Sequence, residues 1–264
     1  MIGISPLGLN PGDPSTPVDQ EQDSGTHTMN DLANAPDLVS DSDEPKTLAE
    51  TAYRQLRRDI IEGVHRPGDK LRVEHLKDQY EVGAGTLREA LQLLVTDALV
   101  VAQGQRGFRV APMSLDDFAD ITRTRVLLET SALQQSIELG DDAWEASVVA
   151  AFHMLSRAED KLADGSKASW EEWEMRNRAF HEALIGACPS RWIRHFQNIL
   201  YHQSERYRRL SLFRQPIPRD VHAEHQAIVD AALARNGAEA TRILSEHILR
   251  TLEAVRQLPA DFIN

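Results

Sequence analysis

Thr86, Arg88 and Gln92 place a hydroxyl, a guanidinium and an amide on one face of a short segment. Groups of this kind hydrogen-bond to the edges of DNA bases and to the phosphates between them. The other face is apolar, because leucines repeat there at helical spacing: Leu87, Leu91 and Leu94. The pattern suits a helix that enters a DNA major groove, and it equally suits a plain helical hairpin packed in a core.

The elements around this segment favour the first interpretation. A short amphipathic run, residues 73–80, precedes it across a junction short enough for a tight turn, which is typical of a helix-turn-helix. Two β-prone runs follow, 99–102 and 108–111, on either side of a glycine-containing loop. Arg106 lies in that loop, where small neighbours would let a β-wing approach a phosphate backbone. With the helix that starts near Leu48, we predict a winged helix-turn-helix over residues 47–112.

The net charge of −12 is distributed unevenly over the 264 residues. Residues 1–46 contain nine acidic side chains and one basic one, and we predict that they form a disordered acidic tail. Residues 47–112 contain ten basic and nine acidic side chains and are the only part that is not acidic. The total argues against a protein that binds nucleic acid by electrostatics alone.

The cellular compartment is predicted from the low cysteine content and from the lack of a membrane-spanning run or a signal peptide. Cys188 is the only cysteine, so an intrachain disulfide is excluded and a reducing environment is expected. There is no apolar run of about eighteen residues that could span a membrane. The N-terminus lacks the basic and apolar regions of a signal peptide. We expect a cytoplasmic protein with no membrane partner.

Residues 113–264 show helical periodicity and almost no β-prone runs. Ser114 with Asp117 is typical of the N-cap of a helix. Glycine and proline breaks divide the segment into six predicted helices: 114–139, 142–162, 169–187, 190–212, 218–234 and 238–257. We therefore predict an all-α bundle of about six helices for effector binding and dimerisation, and a mainly α fold for the chain.

Two groups of residues in the bundle are predicted to have structural roles and not to form binding sites. The tryptophans are predicted to be packing residues: Trp144, Trp170, Trp173 and Trp192. A group of arginines is predicted to form a solvated face: Arg206, Arg208, Arg209, Arg214 and Arg219.

The order of these elements, with several short motifs, resembles the GntR family of bacterial transcription regulators. In the first domain the motifs are Pro-Gly-Asp-Lys-Leu at 67–71, Leu-Arg-Glu-Ala-Leu at 87–91 and Gly-Phe-Arg-Val at 107–110. The helical part resembles the FCD effector domain of the FadR subfamily, through Arg-Val-Leu-Leu-Glu at 125–129, Phe-His at 180–181, His-Gln-Ala-Ile at 225–228 and Glu-His at 246–247. The resemblance covers about residues 47–257 and implies a DNA-binding regulator.

The resemblance also implies which residues contact DNA. Arg88 corresponds to the family's recognition-helix arginine, while Thr86 and Arg106 would contact the backbone and Gly107 would let the wing approach a groove. The family usually has Ser-Arg where this chain has Gly-Ala at 83–84, so one base-reading arginine is missing. Arg72, near the start of the preceding helix, is the candidate to compensate.

In the metal-binding branch of FCD domains, an Asp-x-x-x-His pair and two later histidines converge on a divalent metal. Here His181, His225 and His247 match, and Asn177 replaces the aspartate. The resemblance therefore implies a metal site for zinc or nickel, since imidazole ligands suit these metals. The alternative is a set of ordinary buried histidines around a cavity without metal.

Without the aspartate, the charge of the metal would be less compensated, and we expect a preference for an anionic ligand. Arg125, which matches the family's first-helix arginine, would clamp a small carboxylate that also reaches the metal. Tyr207 or a neighbouring arginine would line the same pocket.

Three further motifs resemble the carbon-starvation, glutarate-responsive branch of the family: Val-Gly-Ala-Gly at 82–85, Ala-Pro-Met-Ser at 111–114 and Trp-Glu-Ala at 144–146. The resemblance implies a repressor of catabolic genes that responds to a short dicarboxylate such as glutarate. A single winged domain makes few phosphate contacts and has one short reading helix, so we expect a homodimer on double-stranded, pseudo-palindromic operator DNA. The rival interpretation is a three-histidine metallohydrolase with a DNA-binding appendage. A hydrolase needs a general base beside the metal-bound water, and no HExxH-type glutamate accompanies these histidines.

Overall fold

A computed structural model describes residues 47–212 and 219–258. The acidic tail predicted at residues 1–46 lies outside the described residues. In the described chain the first elements are α1 Leu48–Ile61, β1 Lys70–Leu71, α2 Val73–Gln79, α3 Ala84–Thr96, β2 Val100–Ala102 and β3 Phe108–Val110. This order is a winged helix-turn-helix, as predicted.

Local chemistry sets the ends of these helices. The Thr47 hydroxyl caps α1 by accepting a hydrogen bond from the Glu50 amide at 3.1 Å. Gly83 is the N-cap of α3, and Glu81 just before it takes a positive φ of 54° in the tight turn. Leu87, Leu91 and Leu94 are completely buried against α1 and the wing. The apolar face predicted for this segment is confirmed.

The wing contains one strand that the sequence did not predict. Residues 65–71 have the composition of a turn, yet Lys70 and Leu71 form β1, which pairs antiparallel with β3. The sheet order is β1-β3-β2, with Lys70 opposite Arg109 and Val100 opposite Val110. A two-residue strand is too short to show periodicity, so only its pairing with β3 identifies it.

All six helices predicted for the second part are present: α4 Leu115–Leu139, α5 Asp142–Lys161, α6 Lys167–Leu184, α7 Arg191–Leu212, α8 Val221–Leu233 and α9 Gly237–Arg256. The predicted N-cap is confirmed, because the Asp117 amide donates to the Ser114 hydroxyl at 3.1 Å. The long α4 ends at Gly140, where a Cβ atom would lie 2.4 Å from the Trp144 ring. This close approach requires glycine at the corner between α4 and α5.

The packing tests the predicted roles of the four tryptophans and of the group of arginines. Trp144 and Trp173 lie in the core, but Trp192 is 56% exposed and is not a packing residue. The solvated arginine face is also wrong. Arg206 and Arg208 are only 4% and 7% exposed, because buried acceptors on neighbouring elements hold their guanidinium groups. Arg214 lies outside the described residues.

In the described part of the chain, no helix has the length and apolar character needed to cross a membrane.

Candidate functional site

Three histidines from three different helices meet inside the bundle. His181 lies on α6, His225 on α8 and His247 on α9. All three are buried, and each offers a ring nitrogen within 4.8 Å of those of the other two. Antiparallel helices that present imidazoles toward one point are a common way to build a metal site in a helical bundle.

Each imidazole has a carboxylate on its Nδ1 side. His225 Nδ1 lies 3.1 Å from Glu159, His247 Nδ1 lies 2.9 Å from Glu224, and His181 Nδ1 lies 3.6 Å from Glu129. A carboxylate at Nδ1 favours the tautomer with the proton on that atom and leaves Nε2 with a free lone pair. At His247 the Arg219 guanidinium, which can only donate, also lies 3.2 Å from Nδ1 and favours the other tautomer. His225 Nε2 is buried and has no hydrogen-bond partner among the described residues.

The electrostatics keep the imidazoles neutral at pH 7. Burial lowers the pKa of His181 to about 4 and overcomes the opposite effect of Glu129. Burial likewise lowers the pKa of His225 and of His247. Burial also raises the pKa of Glu129, but the Arg125 guanidinium and His181 outweigh it and lower that pKa to about 2. Neutral imidazoles beside ionised carboxylates are the state that a divalent cation requires.

Asn177 lies one helical turn before His181 and is 3% exposed. Its Nδ2 donates to the Tyr201 hydroxyl at 2.6 Å, which leaves Oδ1 as the atom that a metal would use. The Tyr201 hydroxyl in turn donates to Glu174 at 3.0 Å. The role of Asn177 as a fourth ligand stays a prediction.

Arg125 is buried on α4 beside this site. Its Nε donates to Glu129 at 2.7 Å and its Nη1 to the Ser204 hydroxyl at 2.9 Å. The guanidinium lies 5.3 Å from the centre of the Tyr201 ring, and that ring lies 6.0 Å from the His181 ring. Arg125 is therefore in the neighbourhood that the effector hypothesis requires.

Tyr207, predicted to line the effector pocket, makes its contacts away from the histidines. Its ring stacks on Phe118 at 4.3 Å, and its hydroxyl accepts from the Ser114 amide at 3.1 Å and donates to Asp117 at 2.8 Å. These contacts are at the start of α4. Tyr201, six residues earlier on α7, is the tyrosine beside the histidines.

Tyr201, Ser204 and the carboxylates beside the histidines are functional residues that the sequence did not predict. One signal for these carboxylates was present, because Glu129 follows Arg125 at i+4 spacing. Nothing local marks Glu159 or Glu224, because their partners His225 and His247 are 66 and 23 residues away.

The residues predicted to contact DNA lie in the winged domain. Arg88 is exposed on α3, and Thr86 is half-buried in the first turn of that helix. Arg72 is exposed at the N-cap of α2. Arg106 is exposed in a turn of 3-10 helix between β2 and β3, and Gly107 follows it with a φ of 86° that favours glycine.

Family models match both parts of the chain. Residues 48–110 match the model "Bacterial regulatory proteins, gntR family", and residues 120–250 match the FCD domain. The HTH-type transcriptional regulator BphR of Paraburkholderia xenovorans is 48% identical over 212 residues, which cover 80% of this chain and 86% of the relative. The HTH-type transcriptional repressor GlaR of Escherichia coli is 37% identical over 212 residues, covering 79% and 96%.

Solved structures share the fold. McbR/YncC of E. coli has a TM-score of 0.65 at 20% identity, and the match covers 80% of this chain and 98% of that one. A GntR regulator from Rhodococcus sp. RHA1 has a TM-score of 0.63 at 22% identity, with the same coverage. Both families and both sequence relatives are transcription regulators and not enzymes, so the metallohydrolase interpretation is wrong. With its winged helix-turn-helix followed by an FCD domain, this chain belongs to the GntR family of bacterial transcription regulators.

Proposed function

We propose that the chain is a repressor whose helical domain binds a divalent metal together with a small carboxylate. The observation that carries the proposal is the cluster His181, His225 and His247, in which each Nδ1 faces a carboxylate. The Nε2 of His225 is buried and has no partner among the described residues. This supports the fit of a metal, because buried polar atoms in proteins nearly always have a partner. Imidazole ligands favour zinc or nickel, and Asn177 Oδ1 is the fourth candidate ligand.

A carboxylate effector would bind between the metal and Arg125. Three neutral imidazoles and an amide leave the charge of the cation to be balanced by Glu129, Glu159 and Glu224 behind the ligands. An anion at the open metal position would add direct compensation and would compete with Glu129 for the Arg125 guanidinium. Glutarate, suggested by the resemblance to the glutarate-responsive branch, is our candidate effector.

The winged domain would bind operator DNA through α3. Arg88 and Gln92 are exposed on this helix, opposite its buried leucines, and would enter the major groove. Arg106 and Gly107 in the wing, Thr86 and Arg72 would contact the backbone or an adjacent groove. One short helix makes few contacts, so we propose a homodimer on a pseudo-palindromic operator, with half-sites about one helical turn (34 Å) apart.

The test is a titration of the chain's own promoter DNA with zinc-loaded protein, with and without glutarate. We expect retardation at nanomolar protein, because specific regulator–operator affinities are typically about 10⁻⁸–10⁻¹¹ M. Glutarate is expected to release the DNA, and chelation of the metal is expected to abolish that release. Retardation unaffected by any small dicarboxylate would refute the effector assignment, and a lack of any retardation would refute the DNA-binding proposal.

A further inference from the structure

Helix α7 contains a stretch in which every residue from 201 to 208 is buried. Six of these eight residues carry a charged or strongly polar side chain: His202, Gln203, Ser204, Glu205, Arg206 and Arg208. A helix that is buried on all sides lies between two packed bodies, and its polar groups need partners on both of them.

One side of the stretch faces the histidine site. Ser204 accepts a hydrogen bond from Arg125 at 2.9 Å, and Tyr201 accepts one from Asn177 at 2.6 Å. Arg208 forms a buried ion pair with Glu174 and lies 4.7 Å from the centre of the Tyr201 ring. The position of this side of α7 therefore depends on the residues around the proposed metal and effector.

The opposite side holds the DNA-binding domain. Gln203 Nε2 donates at 2.7 Å to the carbonyl oxygen of Asp97, the C-cap residue of α3. Arg206 Nη2 donates at 2.8 Å to the carbonyl oxygen of Ala111, which directly follows β3. Arg206 also donates to the Gln203 amide oxygen at 3.3 Å, so the two side chains brace each other.

Gln203 contacts α3 at its C-terminal end, where backbone carbonyl oxygens lack partners within the helix. The last carbonyls of a helix have no partner within it, and the last turn of α3 contains no basic side chain. Gln203 supplies a donor there, from the other domain. The recognition helix is therefore tied at its C-terminal end to a residue adjacent to Ser204.

We propose that Gln203, braced by Arg206, is the positioning residue that couples the histidine site to the recognition helix α3. The inference rests on the proposed function, since it assumes a ligand at the histidines and DNA at α3. Tyr201, Gln203 and Ser204 lie on one rigid helix. A metal that rearranges Asn177 against Tyr201, or a carboxylate that draws Arg125 away from Ser204, therefore shifts Gln203 as well. A shift of Gln203 moves or releases the Asp97 carbonyl, and packed interfaces of this kind switch between discrete arrangements.

The test is hydrogen exchange of the full chain, with and without Zn²⁺, read at the backbone amides of Asp97, Ala98 and Leu99. These amides donate within the C-terminal turn of α3 at 3.0 to 3.1 Å, so their exchange reports how firmly that turn is held. The variant is Gln203→Ala. The matched control is Gln197→Ala, because Gln197 lies on the same helix, is 2% exposed, and its amide nitrogen has no partner to lose within the described chain.

In the wild type and in Gln197→Ala, we expect Zn²⁺ to change the exchange rate of these amides by about fivefold or more, the lower end of allosteric coupling. In Gln203→Ala the change is expected to fall below about twofold while zinc affinity, measured by calorimetry, stays that of the wild type. A structural role alone would alter the basal rates and leave the zinc response intact. A full zinc response in Gln203→Ala, or zinc binding without any response in the wild type, would overturn the proposal.

A second perturbation needs no ligand. Ser204→Ala removes the acceptor of Arg125 and is expected to change exchange at the same amides in the wild-type background but not in the Gln203→Ala background. Equal changes in both backgrounds would overturn the coupling. If calorimetry shows no zinc binding at all, the proposed metal site fails, and this double-mutant comparison alone decides the role of Gln203.

Discussion

A carboxylate lies on the Nδ1 side of each histidine, and Glu159 is the clearest case of one that orients the ring. Its two oxygens accept from His225 at 3.1 Å and from His222 at 2.7 Å. Carboxylates behind metal-binding histidines raise the basicity of the ligand and fix its tautomer. The metal proposal therefore depends on residues that would not themselves touch the metal.

Replacing this carboxylate gives the first prediction. Glu159→Gln keeps an oxygen at the same place but removes the charge, so we expect zinc affinity to fall about 10–100-fold with little loss of stability. Competition with a chromophoric chelator measures it. Glu172→Gln, which alters an exposed pair with Lys161, is the matched control. Equal affinities for the two variants would show that the carboxylate has no such role.

The second prediction for a single residue concerns Arg88. Its side chain is exposed, so Arg88→Ala should leave the thermal midpoint unchanged and weaken operator binding by about 1–3 kcal/mol, as expected for one lost base contact. Arg58→Ala, which removes an exposed arginine from the last turn of α1, is the control for the loss of charge alone. If both variants bind the operator equally well, α3 does not present this face to DNA.

At the scale of elements, the corner between α4 and α5 fixes the relation of the helix bearing Arg125 to the helix bearing Glu159. Gly140 has an ordinary φ of −66°, so it is required for space and not for backbone conformation. A Cβ there would meet the Trp144 ring at 2.4 Å and the Ser136 carbonyl oxygen at 2.6 Å. Trp144 cannot move easily, because its indole nitrogen donates to the Ala183 carbonyl oxygen at 3.0 Å.

We therefore predict that Gly140→Ala destabilises the fold by about 1–3 kcal/mol, the usual cost of overpacking. Gly85→Ala is the control, because no atom of the described residues lies within 4 Å of a Cβ at that helical position. There the substitution should leave stability unchanged or raise it by up to about 0.5 kcal/mol, because Gly85 is in the first turn of α3, where alanine gains less than in a helix interior. Thermal unfolding of both variants measures the direction of each change in stability. A Gly140→Ala midpoint at or above that of the wild type would contradict the packing argument.

At the scale of the whole molecule, the buried histidines make stability depend on pH. His181 has a folded pKa of about 4 against an ordinary value of 6.5, so between these pH values the unfolded chain binds the proton and the folded chain does not. Stability therefore falls as the pH drops from about 6.5 to 4, by on the order of 3 kcal/mol for this group. Glu129, whose pKa is lowered to about 2, adds a further loss below about pH 4.5.

The measurement is metal-free urea unfolding at pH 7, 6 and 5. His181→Gln removes one titrating group and should show a shallower loss of stability between pH 6.5 and 5 than the wild type does. His153→Gln is the control, because His153 lies outside the cluster. Identical pH profiles for the wild type and His181→Gln would mean that His181 does not titrate as its burial requires.

The sequence by itself determined the helices, the two longer strands of the wing and their order, but not the two-residue strand β1. Helical spacing of leucines, glycine and proline breaks and capping residues such as Ser114 act within a few residues, so they can be recognised locally. The same local motifs were enough to indicate the family, the three histidines and Arg125.

Only the tertiary structure decided which distant residues complete the site. Glu159 is 66 residues from its histidine, Arg206 reaches Ala111 across 95 positions, and Gln203 reaches Asp97 across 106. The same packing buries arginines that the sequence pattern assigned to solvent. It also places Tyr201, and not Tyr207, beside the histidines. The physical reason is that a buried charge or amide is stable only when a partner meets it, and that partner is brought by the fold and not by neighbouring sequence.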